Sequence, residues 1–308
     1  MAIHQTLKRN CSRALSVIIS LALICAAAST VILRQSLAKD TGKSCLWSLQ
    51  TKSSAIYLLG SLHLLKLDAY PLKSAIERAY AASQKIVFET DIAAMKGPVI
   101  QAKILELGLY PEGQNLYHNL NGSTRRVLEK KLSDLSLPLE HLAMFKPWAV
   151  ALTLASLELQ RLGFDPNYGV DIYFFKRAKK DVREMGFLEP PEYQLNLLAK
   201  MNKQDQNSFL RQTLRDLNLV LKLAGDMVSY WKTGDADGLH DLFFKSFKDY
   251  PNIHDRLLIQ RNKKWILKIE NLIRENKNVL VIVGAGHLVG PDGLIDLLEK
   301  KGYTLKQR

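Results

Sequence analysis

Ile56-Tyr57-Leu58-Leu59-Gly60-Ser61-Leu62-His63-Leu64 and Val281-Ile282-Val283-Gly284-Ala285-Gly286-His287-Leu288 end alike. Each is an apolar run that breaks at glycine and delivers a histidine three residues later, followed by leucine. One G-x-x-H is common by chance, and a lone histidine after a strand is usually a hydrogen-bonded structural residue. Repetition changes that reading. A strand, glycine turn and histidine used twice suggests a site assembled from two similar halves of one chain, since loops after strands carry chemistry on a rigid scaffold.

Working outward, Cys45 to Leu49 and Ser54 to Leu59 read as a hairpin around Thr51-Lys52-Ser53 that feeds the first histidine turn. The chain then turns at Tyr70-Pro71 and enters an amphipathic helix with Leu72, Ala75, Ile76, Ala79 and Tyr80 on one face. Lys85-Ile86-Val87-Phe88-Glu89 is a third strand, ending in a carboxylate, with Asp91 two residues on. Strand, crossover helix and strand predict a parallel βαβ unit whose active edge is the carboxyl end of the strands. His63 and Glu89 are therefore expected on one edge. From about Met95 to Lys277 the periodicity is mainly helical, interrupted by one strand near 182–189, and 203–232 and 252–277 read as long helices. Val279 to Gly284 returns as a buried strand, followed by a helix from Leu294 to Lys300 and a last strand at Tyr303 to Leu305. The expected fold class is α/β, with a mainly parallel central sheet built from both ends of the chain and a large helical insertion (about 95–277) in the middle.

The first forty residues differ from the rest. Lys8, Arg9 and Arg13 precede an uncharged apolar stretch from Ala14 to Leu33. Two readings fit residues 1–38: a signal peptide cleaved after Ala28 or Ala38, or an N-terminal membrane anchor, since about 20 apolar residues span a bilayer. Either way the basic flank stays cytoplasmic and residues 39–308 are expected to be exported, periplasmic or extracellular. Without the leader the chain keeps 39 Lys+Arg against 30 Asp+Glu, a net +9. That excess favours a membrane or anionic envelope surface as a partner. The lysines are scattered with no aromatic-interleaved stripe, which argues against nucleic acid. Cys11 and Cys25 lie in the leader, so Cys45 alone excludes an intramolecular disulfide in the mature chain and reads as a buried small apolar residue.

His63, Glu89 and His287 each follow an apolar strand. Two neutral imidazoles and a carboxylate are a common ligand set for a catalytic divalent ion, which would lower the pKa of bound water to about 7. Without a metal the same trio supplies a general base and an orienting carboxylate. The spacing is unlike H-E-x-x-H, and sequence leaves the two open. Asp91 is a rival or helper for Glu89. Composition places Arg261-Asn262, beside Lys263 and Lys264, on a solvated helix face with Trp265 in the core; the alternative is an anion clamp reaching the histidines. Glu189 either lines the same edge or caps the next helix, with Gln194 beyond Pro190-Pro191. His118, His141, His240 and His254 have no repeated context and read as structural or surface residues.

The ordered set Trp47, Leu59 to Leu65, Ala69-Tyr70-Pro71-Leu72, Val87-Phe88-Glu89, Gly169-Val170-Asp171, Leu188-Glu189 with Gln194, Trp231 to Asp235, Arg261-Asn262 with Trp265, and Val283 to Gly290 resembles the TraB/GumN (TraB/PrgY/GumN) family. The likeness runs from residue 45 onward. It implies an α/β fold with paired G-x-x-H motifs, distantly related to Tiki-type metal-dependent proteases and to erythromycin esterase and haem-binding relatives. It raises Glu89 and Arg261 to catalytic candidates and implies a manganese- or cobalt-like divalent ion on His63, Glu89 and His287. The function so implied is an envelope-exposed, metal-dependent peptidase acting on a peptide or small-molecule amide, with Arg261 stabilising negative charge. The alternative is a non-catalytic peptide-, haem- or metal-binding envelope protein. Lys66 departs from the family's small residue or proline after the first histidine turn.

Overall fold

A six-stranded sheet carries the site, in the order β4-β3-β5-β2-β1-β6. Its strands are β1 (Leu46–Gln50), β2 (Ala55–Ser61), β3 (Lys85–Phe88), β4 (Glu184–Phe187), β5 (Val279–Gly284) and β6 (Leu305–Gln307). This computed structural model describes residues 42–247 and 250–308; the expected leader or anchor, 1–38, lies outside the described residues. Among the described residues no helix is long and apolar enough to cross a membrane. The β2–β5, β5–β3 and β3–β4 ladders are parallel, while β1 is antiparallel to both β2 and β6. The α/β class and the central sheet drawn from both ends of the chain are therefore observed, with antiparallel pairing on one side.

β5 is buried at every position, as expected of an uncharged Val/Leu/Ile run between two parallel neighbours. Each such side chain contributes about 1.5–3 kcal/mol when fully removed from water. Parallel registry then fixes the active edge. Ser61 pairs with Gly284 and Phe88 with Ile282, so His63, His287 and Glu89 all emerge at the same ends of adjacent strands. Gly60 is required by close approach: a Cβ there would run into Cys45 Sγ and stand 3.1 Å from Ala285 Cα.

Two hydrophobic cores result. One surrounds the sheet and includes Leu62, Leu65, Leu188, Trp265 and Ile266; the other lies within the helical part and includes Leu64, Leu195, Leu257 and Leu258. The segments bearing His63, Glu189 and Arg261 therefore cross from one core to the other, and the site sits where the cores meet.

Several boundaries differ from expectation. The last strand starts two residues later, at Leu305, because Tyr303 N–H still closes the preceding helix on Leu298 O and Gly302 takes a left-handed φ of +89°. The 203–232 run is two helices, Lys203–Asp216 and Val220–Thr233. The 252–277 run contains a π-helical turn at Asp255–Ile259 before the helix Gln260–Arg274. Such turns occur often at functional sites, and Arg261 stands in the helical turn that follows.

Candidate functional site

Arg261 is the hub. It is 2% exposed, on the buried face of its helix with Asn262, Trp265, Ile266, Ile269 and Leu272. Its Nε donates to both Glu189 oxygens (3.1 and 3.2 Å), and its Nη2 to Glu89 Oε2 (2.6 Å) and Glu189 Oε1 (2.7 Å). Its Nη1 donates to Leu257 O (3.0 Å) and His287 Nε2 (2.8 Å). A guanidinium has five N–H groups, and every one has an acceptor here. The solvated-face expectation for Arg261 and Asn262 is thus corrected: Lys263 and Lys264 face outward, but the four-residue period from 261 to 265 to 269 turns Arg261 inward.

That contact settles the state of His287. A guanidinium only donates, so Nε2 accepts and carries no proton; Nδ1 bears the hydrogen and donates to Asn262 Oδ1 over 2.6 Å. Asn262 Nδ2 in turn donates to His287 O (3.3 Å) and Asp292 O (2.8 Å), which fixes the amide. Burial, then the Arg261 charge and the nearby His63, hold the His287 pKa well below the ordinary histidine value. His287 Nε2 lies 3.9 Å from Glu89 Oε1, but a neutral imidazole makes no ion pair there.

Glu89 is equally engaged. Its Oε1 accepts from Gly284 N–H (2.6 Å) and its Oε2 from Arg261 and Gln194 Nε2 (3.1 Å). Glu189 accepts from Trp265 Nε1 (3.0 Å) as well as Arg261, so it lines the edge and does not cap the next helix. Burial raises its carboxyl above the usual range, against the opposing pull of Arg261. Asp91 is corrected to a helix cap: its Oδ1 accepts from Ala93 N (2.8 Å) and Ala94 N (3.1 Å).

His63 stands apart from this saturated network. Its Nδ1 lies 3.0 Å from Asp171 Oδ2, so the ring donates there, and the buried Nε2 has no hydrogen-bond partner among the described residues. Ser61 Oγ, Thr90 Oγ1 and Asp171 Oδ1 are likewise buried without partners among the described residues, three more polar atoms on residues at or facing this edge. Burial alone would lower the His63 pKa; Asp171, aided by Glu89, outweighs it and leaves the imidazole raised. Asp171 opens the helix Val170–Lys180, whose entry is pinned by Val170 N–H donating to Leu62 O (3.0 Å). Gly169 makes that approach feasible, since a Cβ would overlap the His63 carbonyl, 2.8 Å from its carbon.

Sequence reasoning assigned no role of their own to Asp171 or Asn262. Both lay inside quoted motifs, and Asp171 in the first turn of a helix has an ordinary explanation in the helix dipole.

An ion held by His63, Glu89 and His287 would need the one Nε2 lone pair of His287, which this arrangement gives to Arg261, and would compete with Arg261, Gly284 and Gln194 for Glu89. As packed, the trio does not fit a divalent ion, and no group of three His, Cys, Asp or Glu among the described residues is placed to hold one. His63 Nε2, backed by a carboxylate, is the expected ligand atom that has no hydrogen-bond partner among the described residues. Lys66 sits with its Nζ 5.0 Å from the centre of the Phe164 ring.

The chain belongs to the TraB/PrgY/gumN family, whose profile matches residues 45–307. It is similar to the uncharacterized protein YbaP of Escherichia coli (strain K12), 22% identical over 242 residues, covering 79% of this chain and 87% of that protein. It is also similar to the protein named metalloprotease TIKI2 in Xenopus tropicalis (22% over 320 residues, 85% of this chain and 59% of that one). The Danio rerio protein of that name is 21% identical over 305 residues, 81% of this chain and 58% of its own. No solved structure matches the chain significantly.

Proposed function

We propose that this chain is a hydrolase of peptide or other amide bonds in which His63 activates water. One observation carries the reading: the buried Nε2 of His63 has no partner among the described residues, while Asp171 holds the other ring nitrogen. An imidazole fixed in this tautomer is a general base, and a raised pKa strengthens it as a proton acceptor. The neighbouring Glu89, Arg261 and His287 form a rigid wall. Arg261 has no N–H left for a substrate, so its part is to fix that wall and to lend positive charge beside the reacting group. On the basic leader and the apolar run after it, we place this activity outside the inner membrane, exported or anchored, with the net +9 body near anionic envelope surfaces.

A second reading is the metal-dependent form of the same reaction. The relatives' description as metalloproteases favours it, as does the carboxylate-backed His63 nitrogen. A manganese- or cobalt-like ion would supply a Lewis acid and an activated water. It would require Arg261 to release Glu89 and His287.

The test is a peptide-library digestion by the full chain, stripped of metal and then given divalent ions singly, beside His63→Ala. Cleavage by the stripped protein that disappears in His63→Ala supports the first reading, and cleavage only after ion addition supports the second. Ligand binding through His63 with no cleavage under any condition would leave a peptide-, haem- or metal-binding protein and end the hydrolase reading.

A further inference from the structure

Two sequence stretches singled out above take no part in the histidine site: Ala69-Tyr70-Pro71-Leu72 and Trp231-Lys232. They converge on a cavity of about 330 Å³ whose walls include Tyr70, Leu72, Ile76 and Trp231, with Lys73 and Lys232 among its polar lining. None of His63, Glu89, Arg261 or His287 lines it. The volume is at the small end of the range of roughly 300–1,000 Å³ typical of small-molecule pockets.

Its walls are held in place. Leu72, Ile76 and Trp231 are buried in the sheet core. Trp231 Nε1 donates to Gly60 O over 2.7 Å, tying this wall to the first histidine strand, and Tyr70 Oη donates to Tyr168 O over 2.8 Å. The cations are less committed. Lys73 Nζ donates to Lys43 O (2.7 Å) and Lys232 Nζ to Asp68 O (3.3 Å), both backbone carbonyls. An ammonium has three donors, so each amine retains two. Asp68 also lines the cavity, so the lining holds two cationic residues against one acidic residue, a net charge suited to a monoanion more than to a phosphate dianion.

We propose that this cavity binds an organic carboxylate with an apolar body, its carboxylate between Lys73 and Lys232 and its apolar part against Tyr70, Leu72, Ile76 and Trp231. The peptide C-terminus and the fatty acid share this chemistry. The site does not depend on hydrolysis, so its fate and that of the His63 reading are separable.

The experiment is calorimetric titration of the full chain at low ionic strength with two acid–amide pairs: octanoate against octanamide, and N-acetyl-leucyl-leucine against its carboxamide. Charge-assisted hydrogen bonds are about twice as strong as neutral ones, so at least one acid is expected to bind about tenfold or more tighter than its amide. Which acid does so separates a lipid from a peptide source. The double substitution Lys73→Gln and Lys232→Gln removes the preference, each single change weakens it, and His63→Ala leaves it intact. Both lysines are partly or fully exposed, so these variants are expected to fold. Equal binding of acid and amide, a preference that survives the double substitution, or no binding of either acid overturns the proposal.

Discussion

Arg261 donates a hydrogen bond to His287 Nε2 over 2.8 Å, and by doing so occupies the lone pair through which that histidine could have held a metal ion. The same side chain bridges Glu89 and Glu189, so one buried cation organises both carboxylates and one of the two repeated histidines.

Removing that cation leaves two buried carboxylates without their shared counter-charge. Breaking a buried pair by deleting one partner costs about 3–5 kcal/mol, so Arg261→Gln is expected to lower unfolding stability by that order. Urea denaturation checks this. A loss of under about 1 kcal/mol would mean that the cluster is solvated in solution.

The two histidines respond to pH with opposite signs. His63 is raised in the folded state, so its stabilisation is fully present below its unfolded pKa of about 6.5 and is lost as pH rises through the folded value. His287 is lowered, so its contribution is full above about 6.5 and is lost as pH falls towards the folded value. Relative to wild type, His63→Gln should therefore lose stability as pH falls from about 7.5 to about 5.5, and His287→Gln should gain it. Denaturant midpoints at the two pH values check the signs.

Asp171→Asn keeps the shape of the pair but removes the charge that raises His63. The His63 ring-proton titration should move to lower pH, and peptide hydrolysis should fall about 100-fold or more with its acid limb shifted the same way. A variant that lost activity without moving the titration would assign Asp171 a purely structural role.

Gly169→Ala places a methyl against the His63 carbonyl, 2.8 Å from its carbon, with backbone on both sides of the contact. Strain of this kind costs about 1–3 kcal/mol. Thermal unfolding should show that loss together with reduced activity, whereas Gly225→Ala, which meets nothing within 4 Å, should show neither.

Cys45 is buried, and burial pushes its thiol up to about 12, so it should resist alkylation at about pH 8 until the chain unfolds. Peptide mapping after iodoacetamide treatment, with and without denaturant, reads this directly.

The sheet edge was legible because it is local. An apolar run, a glycine and a polar residue report a buried strand and its end, and parallel pairing then places His63, Glu89 and His287 together. What was hidden is non-local: Asp171 meets His63 across 108 positions and Glu189 meets Arg261 across 72. Nothing in the neighbourhood of either acid announces its partner. Arg261 was obscured differently, by two adjacent lysines that make its segment look solvated. Its inward turn follows only when Arg261, Trp265, Ile269 and Leu272 are read as one helical face.

Hydrolysis by metal-stripped protein separates a His63 general base from a metal-dependent site. The full chain is treated with chelator, assayed on a peptide library at neutral to mildly alkaline pH, and compared with His63→Ala. Cleavage that survives chelation and vanishes in the variant is expected if His63 itself activates water; cleavage that is absent after chelation and restored by a single divalent ion would overturn that role.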